Sequence, residues 1–323
     1  MRAGTSHVRT WPAPSKVMAA DIQSGSMYAR HACFLGLILT AIAIFHRALF
    51  FVAGASISVD QYSHILLVVP VSAALLYMTR RRVLAHVAYN PLAGLLLLFL
   101  MAAFAYTAGH SGALTASAYL SLSILFFAGC CVTAFVFCYG VQAFKVAIFP
   151  LLFLLLMVPL PDSVLERVIA ILQNGSAVAA CLLFRAAHIP YVRHGVVVAL
   201  PRIDIYVAEE CSGIRSSMVL LLCTLVLGQL YLKSFWTKTL LTITVLPIMV
   251  AKNGLRIFVL STLGMYVDPS FLSGRLHHEG GFIFFGLGFA GLFFVIWLFR
   301  KIGLDPGTAD SLPENHGLHA GKI

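Results

Sequence analysis

The sequence predicts an all-α polytopic membrane protein with about eight transmembrane helices and a small β-hairpin on the outer face before the sixth. Three observations carry this. Hydrophobic residues make up 60% of the 323 positions and charged residues only 11%, against about 25% charged in an ordinary soluble domain. Apolar stretches of the length needed to cross a hydrocarbon layer, roughly 20 residues, recur along the chain. The basic residues fall between these stretches in an alternating pattern. Together these exclude a soluble enzyme and a disordered chain. They also exclude a nucleic-acid partner, which the net charge of +10 would suggest in a soluble protein. The lipid bilayer is the partner that this composition implies.

Residues 1–31 are polar and basic (Arg2, Arg9, Lys16, Arg30) without an apolar core. They read as an inner tail rather than a cleavable signal. Spans follow at 32–54, 63–79, 91–109, 113–139, 143–160, 212–232, 236–264 and 278–299. With the N-terminus inside, Arg80–Arg82, Lys145, Lys233, Lys238, Arg300 and Lys301 all fall on the inner side, as basic loops do. Residues 300–323 then form a second inner tail. Segment 161–210 must begin and end outside. Its stretch 163–187 contains Glu166, Arg167, Gln173 and Asn174, so it reads as an amphipathic helix lying on, or dipping into, the outer face. Two β-rich runs, Val196–Leu200 and Ile203–Val207, flank Pro201 and read as the hairpin.

Ionisable residues are costly in a membrane and mark function by default. Three clusters stand out: EECSGIRSS (209–217) at the outer start of the sixth span, AKNGLRIF (251–258) in the outer half of the seventh, and LHHEGGFIFF (276–285) at the outer start of the eighth. The threading brings all three to one face. Cys211 opens a helix, where free N–H groups favour a thiolate, although Glu209 and Glu210 oppose ionisation and call for a cationic partner. Read blandly, it is one of seven scattered cysteines, a small hydrophobe in an apolar setting. Arg256 either donates to a developing oxyanion or forms a structural ion pair with Glu209 or Glu210. Lys252, one turn earlier, either shares that site or snorkels outward. His277 and His278 supply a general base or a polar cap. Arg215 is placed to hold Glu210 or a substrate carboxylate, and a structural ion pair suits it equally. Asn253 adjoins Lys252. Asp60, Tyr62 and His64 open the second span, where they are placed to position a substrate. No metal-ligand spacing and no cofactor-binding motif is present in the sequence. A Cys, an Arg and a His at one membrane face make an acyl-transfer site: the His takes the thiol proton, the thiolate attacks a carbonyl, and the Arg stabilises the oxyanion.

These pieces resemble the exosortase/archaeosortase family of polytopic membrane cysteine transpeptidases. The matching segments are YSHILLVVPVSAALLY (62–77), MVPLPDSV (157–164), VAEECSGIRSS (207–217), AKNGLRI (251–257) and HHEGGFIFFGLGF (277–289), in family order and covering most of the chain between 62 and 289. The resemblance implies a catalytic Cys211, Arg256 and His277, the last by its distance from the Gly281–Phe284 run, with His278 as the alternative. A histidine at the third position favours the bacterial side of the family. The resemblance further implies a bacterial inner-membrane protein with both termini cytoplasmic. Segment 161–210 and the active site then face the periplasm, and residues 32–299 form one exosortase-like domain. The implied substrates are exported proteins with a C-terminal sorting signal: a Pro-Glu-Pro-like motif, a transmembrane helix and a basic tail. Such systems accompany exopolysaccharide production. A thioester on Cys211 would be resolved by water or an amine acceptor, with Arg215, Glu210, Asn253 and His64 contacting the substrate. The alternative class is a polytopic transporter or export component for a polysaccharide or lipid. It needs a polar path across the bilayer, whereas the ionisable residues here gather at one face.

Overall fold

A computed structural model describes residues 15–88, 91–110, 115–207, 214–272 and 281–305. Eight helices run in order: α1 (Ser15–Ser58), α2 (Ile65–Ala85), α3 (Pro91–His110), α4 (Ala116–Phe153), α5 (Asp162–Ala186), α6 (Ile214–Tyr231), α7 (Phe235–Tyr266) and α8 (Gly281–Lys301). Among the described residues, seven helical segments are long and apolar enough to cross a membrane, and α3 is a shorter apolar helix. The chain is an all-α polytopic membrane protein, as the composition predicts. The physical reason is that hydrocarbon offers no hydrogen-bond partners. A spanning segment must therefore satisfy its own backbone, which a helix does.

The molecule divides into two units. The first contains α1 up to Gly54, α2, α3 and α4. α4 has 38 residues, about 57 Å at 1.5 Å per residue and nearly twice the hydrocarbon thickness. It is broken at Gly140, whose φ of 87° and ψ of 171° are not helical. Before the break, α4 lies beside α1 and α3: His31 bonds the Tyr139 hydroxyl at 2.7 Å, Phe45 meets Phe127 and Phe104 meets Phe126. After it, α4 lies beside α2, where the Ser72 hydroxyl donates to the Pro150 carbonyl at 2.7 Å. The end of α2 returns to the break, with the Ala88 N–H donating to the Tyr139 carbonyl. From one level, then, the two halves of α4 depart along two different spanning helices. The stretches read at 113–139 and 143–160 correspond to the two halves on either side of Gly140. A Cβ at residue 140 would lie 1.7 Å from the Ala88 carbonyl oxygen, so only glycine fits.

The second unit contains residues 55–64 and everything from Leu160 on. α7 is its axis. α6 runs antiparallel to α7, with Ser216 against Lys252 and Gln229 against Lys238. α8 does the same, with Gly288 against Lys252 and Gly291 against Ile248. Leu220, Leu241, Val245, Leu292 and Ile296 fill the space between them. α7 has 32 residues and α6 only 18, about 48 Å against 27 Å. The last turns of α7 therefore run past the start of α6. α5 and the sheet pack on that extension. α5 is parallel to it, with Gly175 against Val250, Ala179 against Gly254 and Phe184 against Phe258. Ala177, Ala180, Cys181, Phe184, Val198, Val207, Ile257 and Met265 make the core there.

One detail differs from the sequence reading. The hairpin is a three-stranded antiparallel sheet in order β1 (Val192–His194), β2 (Val197–Ala199), β3 (Asp204–Tyr206). Gly195 at φ 63° turns the extra strand back. α5 is itself long and apolar enough to cross a membrane. Of its polar residues, Gln173 is buried and donates to the Val207 carbonyl at 3.0 Å, Asn174 donates to its own helix at Ala170, and Glu166 and Arg167 are exposed.

The end of the described chain is docked rather than loose. Asp305 is 1% exposed. Its carboxylate accepts from the backbone N–H of Lys233 and of Ser234, each at 2.9 Å, and from the Thr237 hydroxyl at 3.3 Å. Ser234 opens α7 without a side-chain cap of its own, so Asp305 caps that helix from 68 to 71 residues away. Burial opposes its ionisation, but these donors and the Lys233 charge prevail and hold the carboxyl below its usual range.

Candidate functional site

The AKNGLRI segment forms the middle of α7, and each polar residue in it has a separate task. Asn253 is 2% exposed, and its amide donates to the Ser176 hydroxyl of α5 at 2.9 Å. Gly254 follows because α5 arrives there: a Cβ on it would lie 2.4 Å from the Ala179 methyl. Asn253 and Gly254 thus clamp α5, a role the sequence reading did not foresee for Asn253. Arg256 is half-buried two residues on, four residues and one turn from Lys252.

Lys252 does not snorkel. It is 6% exposed, and its ammonium donates to the Ser216 hydroxyl on α6. Its stem crosses in front of Gly288 on α8, where a Cβ would sit 3.1 Å from Lys252 Cδ and 3.3 Å from Leu220 Cδ2. Gly288, in the GLGF run that ends the matching segment 277–289, is therefore the slot for the lysine. Ser217, beside Ser216, is 2% exposed, and its hydroxyl has no partner among the described residues. A buried hydroxyl without a partner costs about 1–3 kcal/mol.

At the start of α6, Arg215 donates to Asp60 at 2.8 Å. Both side chains are more than 60% exposed, so the pair contributes about 0–1 kcal/mol. It ties the 3-10 turn Asp60–Tyr62 to α6. Of the two readings for Arg215, the structural ion pair is formed, with Asp60 as its acid. His64 ends that turn, with Nδ1 at 3.1 Å from the Gln61 carbonyl.

Glu209, Glu210, Cys211, His277 and His278 lie outside the described residues. The described part of the site is therefore Lys252, Arg256, Ser216, Ser217, Arg215 and Asp60, with Asn253 and Gly254 as its scaffold. Ser216, Gly288 and Ser176 were not singled out in the sequence. Ser216 lay inside a recognised cluster, and Gly288 inside a matching segment. Ser176 carried no signal, because its role depends on which face of α5 meets α7. Among the described residues, no group of three or more His, Cys, Asp or Glu could hold a metal ion.

A multi-pass helical membrane protein with a polar cluster where α6, α7 and α8 meet is the class that fold and site define. The family model for transmembrane exosortases matches residues 56–294, about three quarters of the chain. The chain belongs to the transmembrane exosortase family. Compared with curated proteins and with solved structures, it gives no match.

Proposed function

We propose that the protein is a bacterial inner-membrane cysteine protease and transpeptidase. In this reading it cleaves C-terminal, Pro-Glu-Pro-like sorting signals of exported proteins at the periplasmic face, in a system tied to exopolysaccharide production. The observation that carries this reading is the convergence of α6 and α8 on Lys252 of α7, one turn before Arg256, in a chain of the exosortase family.

In the proposed reaction His277, or His278, takes the Cys211 proton. The thiolate attacks the scissile carbonyl, and Arg256 donates to the oxyanion. The C–N bond breaks, the histidine returns its proton to the leaving amine, and water or an amine acceptor resolves the thioester. Co-expression with a tagged sorting-signal substrate tests this. Cys211→Ala and Cys211→Ser should abolish processing, and His277→Ala should remove selective labelling of Cys211 by a thiol probe. Undiminished processing by both cysteine variants overturns the reading.

A further inference from the structure

Lys252 is the residue that the proposed reaction leaves unused. It sits inside the second unit, between α6 and α8, in a slot kept open by Gly288. An ammonium has three N–H donors. Among the described residues, one acceptor meets them: the neutral hydroxyl of Ser216. The one salt bridge among the described residues joins Arg215 to Asp60 and does not involve Lys252. Arg256, one turn along the same helix, adds a like charge, and like charges four apart on a helix destabilise each other. A buried ammonium with open donors and a cationic neighbour is costly to keep, and a carboxylate is the partner that offsets that cost best.

We propose that Lys252 is a binding residue for a carboxylate of the substrate polypeptide, an acidic side chain next to the scissile bond, held by the ammonium while Ser216 keeps the ammonium in place. This rests on the proteolytic reading above. Lys252 bonds Ser216 of α6 and runs past Gly288 of α8, so it lies between helices and not on a lipid-facing surface. That position favours a peptide entering the junction of the helices over a lipid phosphate approaching the outer surface. The site would thus select substrates by charge at one position and pull the neighbouring carbonyl toward Arg256.

The test uses the full-length protein in nanodiscs of phosphatidylcholine alone. Its substrates are peptides carrying the sorting signal and variants in which each acidic residue in turn becomes its amide (Glu→Gln, Asp→Asn). The expected result is one position where amidation lowers kcat/KM about 30-fold or more, the scale for breaking a desolvated charge pair, chiefly through KM. In Lys252→Met the acidic and amide peptides should be cleaved alike, and Lys252→Arg should keep part of the preference. Lys252→Glu should prefer a substrate with lysine at that position. The proposal is overturned if the wild type cleaves acidic and amide peptides equally. It is also overturned if the preference persists in Lys252→Met, or if the variants respond only to added anionic lipid. If Lys252→Met does not fold, the wild-type scan and Lys252→Arg decide. Processing that is present but indifferent to charge removes this inference alone; no processing by the wild type removes the proteolytic reading as well.

Discussion

At Gly254 a single hydrogen decides how closely two helices meet. Gly254→Ala puts a methyl 2.4 Å from Ala179, with two helix backbones and no flexible tip to give way. We expect a loss of about 1–3 kcal/mol, the usual scale for overpacking, read as a lower melting temperature in detergent. Asn253→Ala should cost a similar amount, since it leaves the buried Ser176 hydroxyl without its donor. Arg215 gives the opposite contrast. Its exposed ion pair with Asp60 contributes about 0–1 kcal/mol, so Arg215→Ala should leave the melting temperature within a few degrees. Any larger fall in substrate processing by Arg215→Ala then reports contact with substrate rather than loss of fold. A melting temperature that drops with activity removes that interpretation.

At the level of elements, α4 makes the sharpest claim. Its two halves cross the bilayer in opposite senses if Gly140 is a reversal. Single cysteines at 115 and 159, in a background lacking the native ones, should react with an impermeant maleimide from one side. A cysteine at 141 should react from the other. All three reacting from the same side would show one bent crossing instead. Gly140→Ala drives a Cβ into the Ala88 carbonyl and should sharply reduce membrane accumulation on an immunoblot. The spans themselves were legible in the sequence, because long apolar runs leave few alternatives. The turn chemistry at residue 140 was not, since a glycine within an apolar run says nothing of what approaches it. The sheet was half legible. Val196–Leu200 and Ile203–Val207 show the β-branched runs of strands, whereas Val192–His194 is too short and polar to show. In α5 the bond from Gln173 to the Val207 carbonyl was not legible, because it depends on which face of the helix meets the sheet. Of the three polar clusters read in the sequence, the described parts are 214–217, 251–258 and 281–285. The clamp between Asn253 and Ser176 and the slot of Gly288 for Lys252 arise only from which helix faces meet.

At the largest scale, a single carboxylate ties the end of the described chain back to the start of α7. Asp305 has its pKa lowered in the folded state, so its contribution is full above about pH 4, the ordinary carboxylate value. It is lost as pH falls through the lower folded value. Asp305→Asn should therefore lower the melting temperature at neutral pH. The gap between variant and wild type should narrow as pH drops below about 4. A gap independent of pH would mean that the acceptor geometry, not the charge, holds α7. The order of synthesis gives this contact a further meaning. The helix that carries Lys252 and Arg256 leaves the ribosome with its opening amides uncapped. They stay so until some seventy more residues have been made and α8 has been inserted. The last-made turn thus certifies the completed bundle. A chain cut at residue 304 would retain every residue of the proposed chemistry and still present an unfinished helix to the cell's quality control.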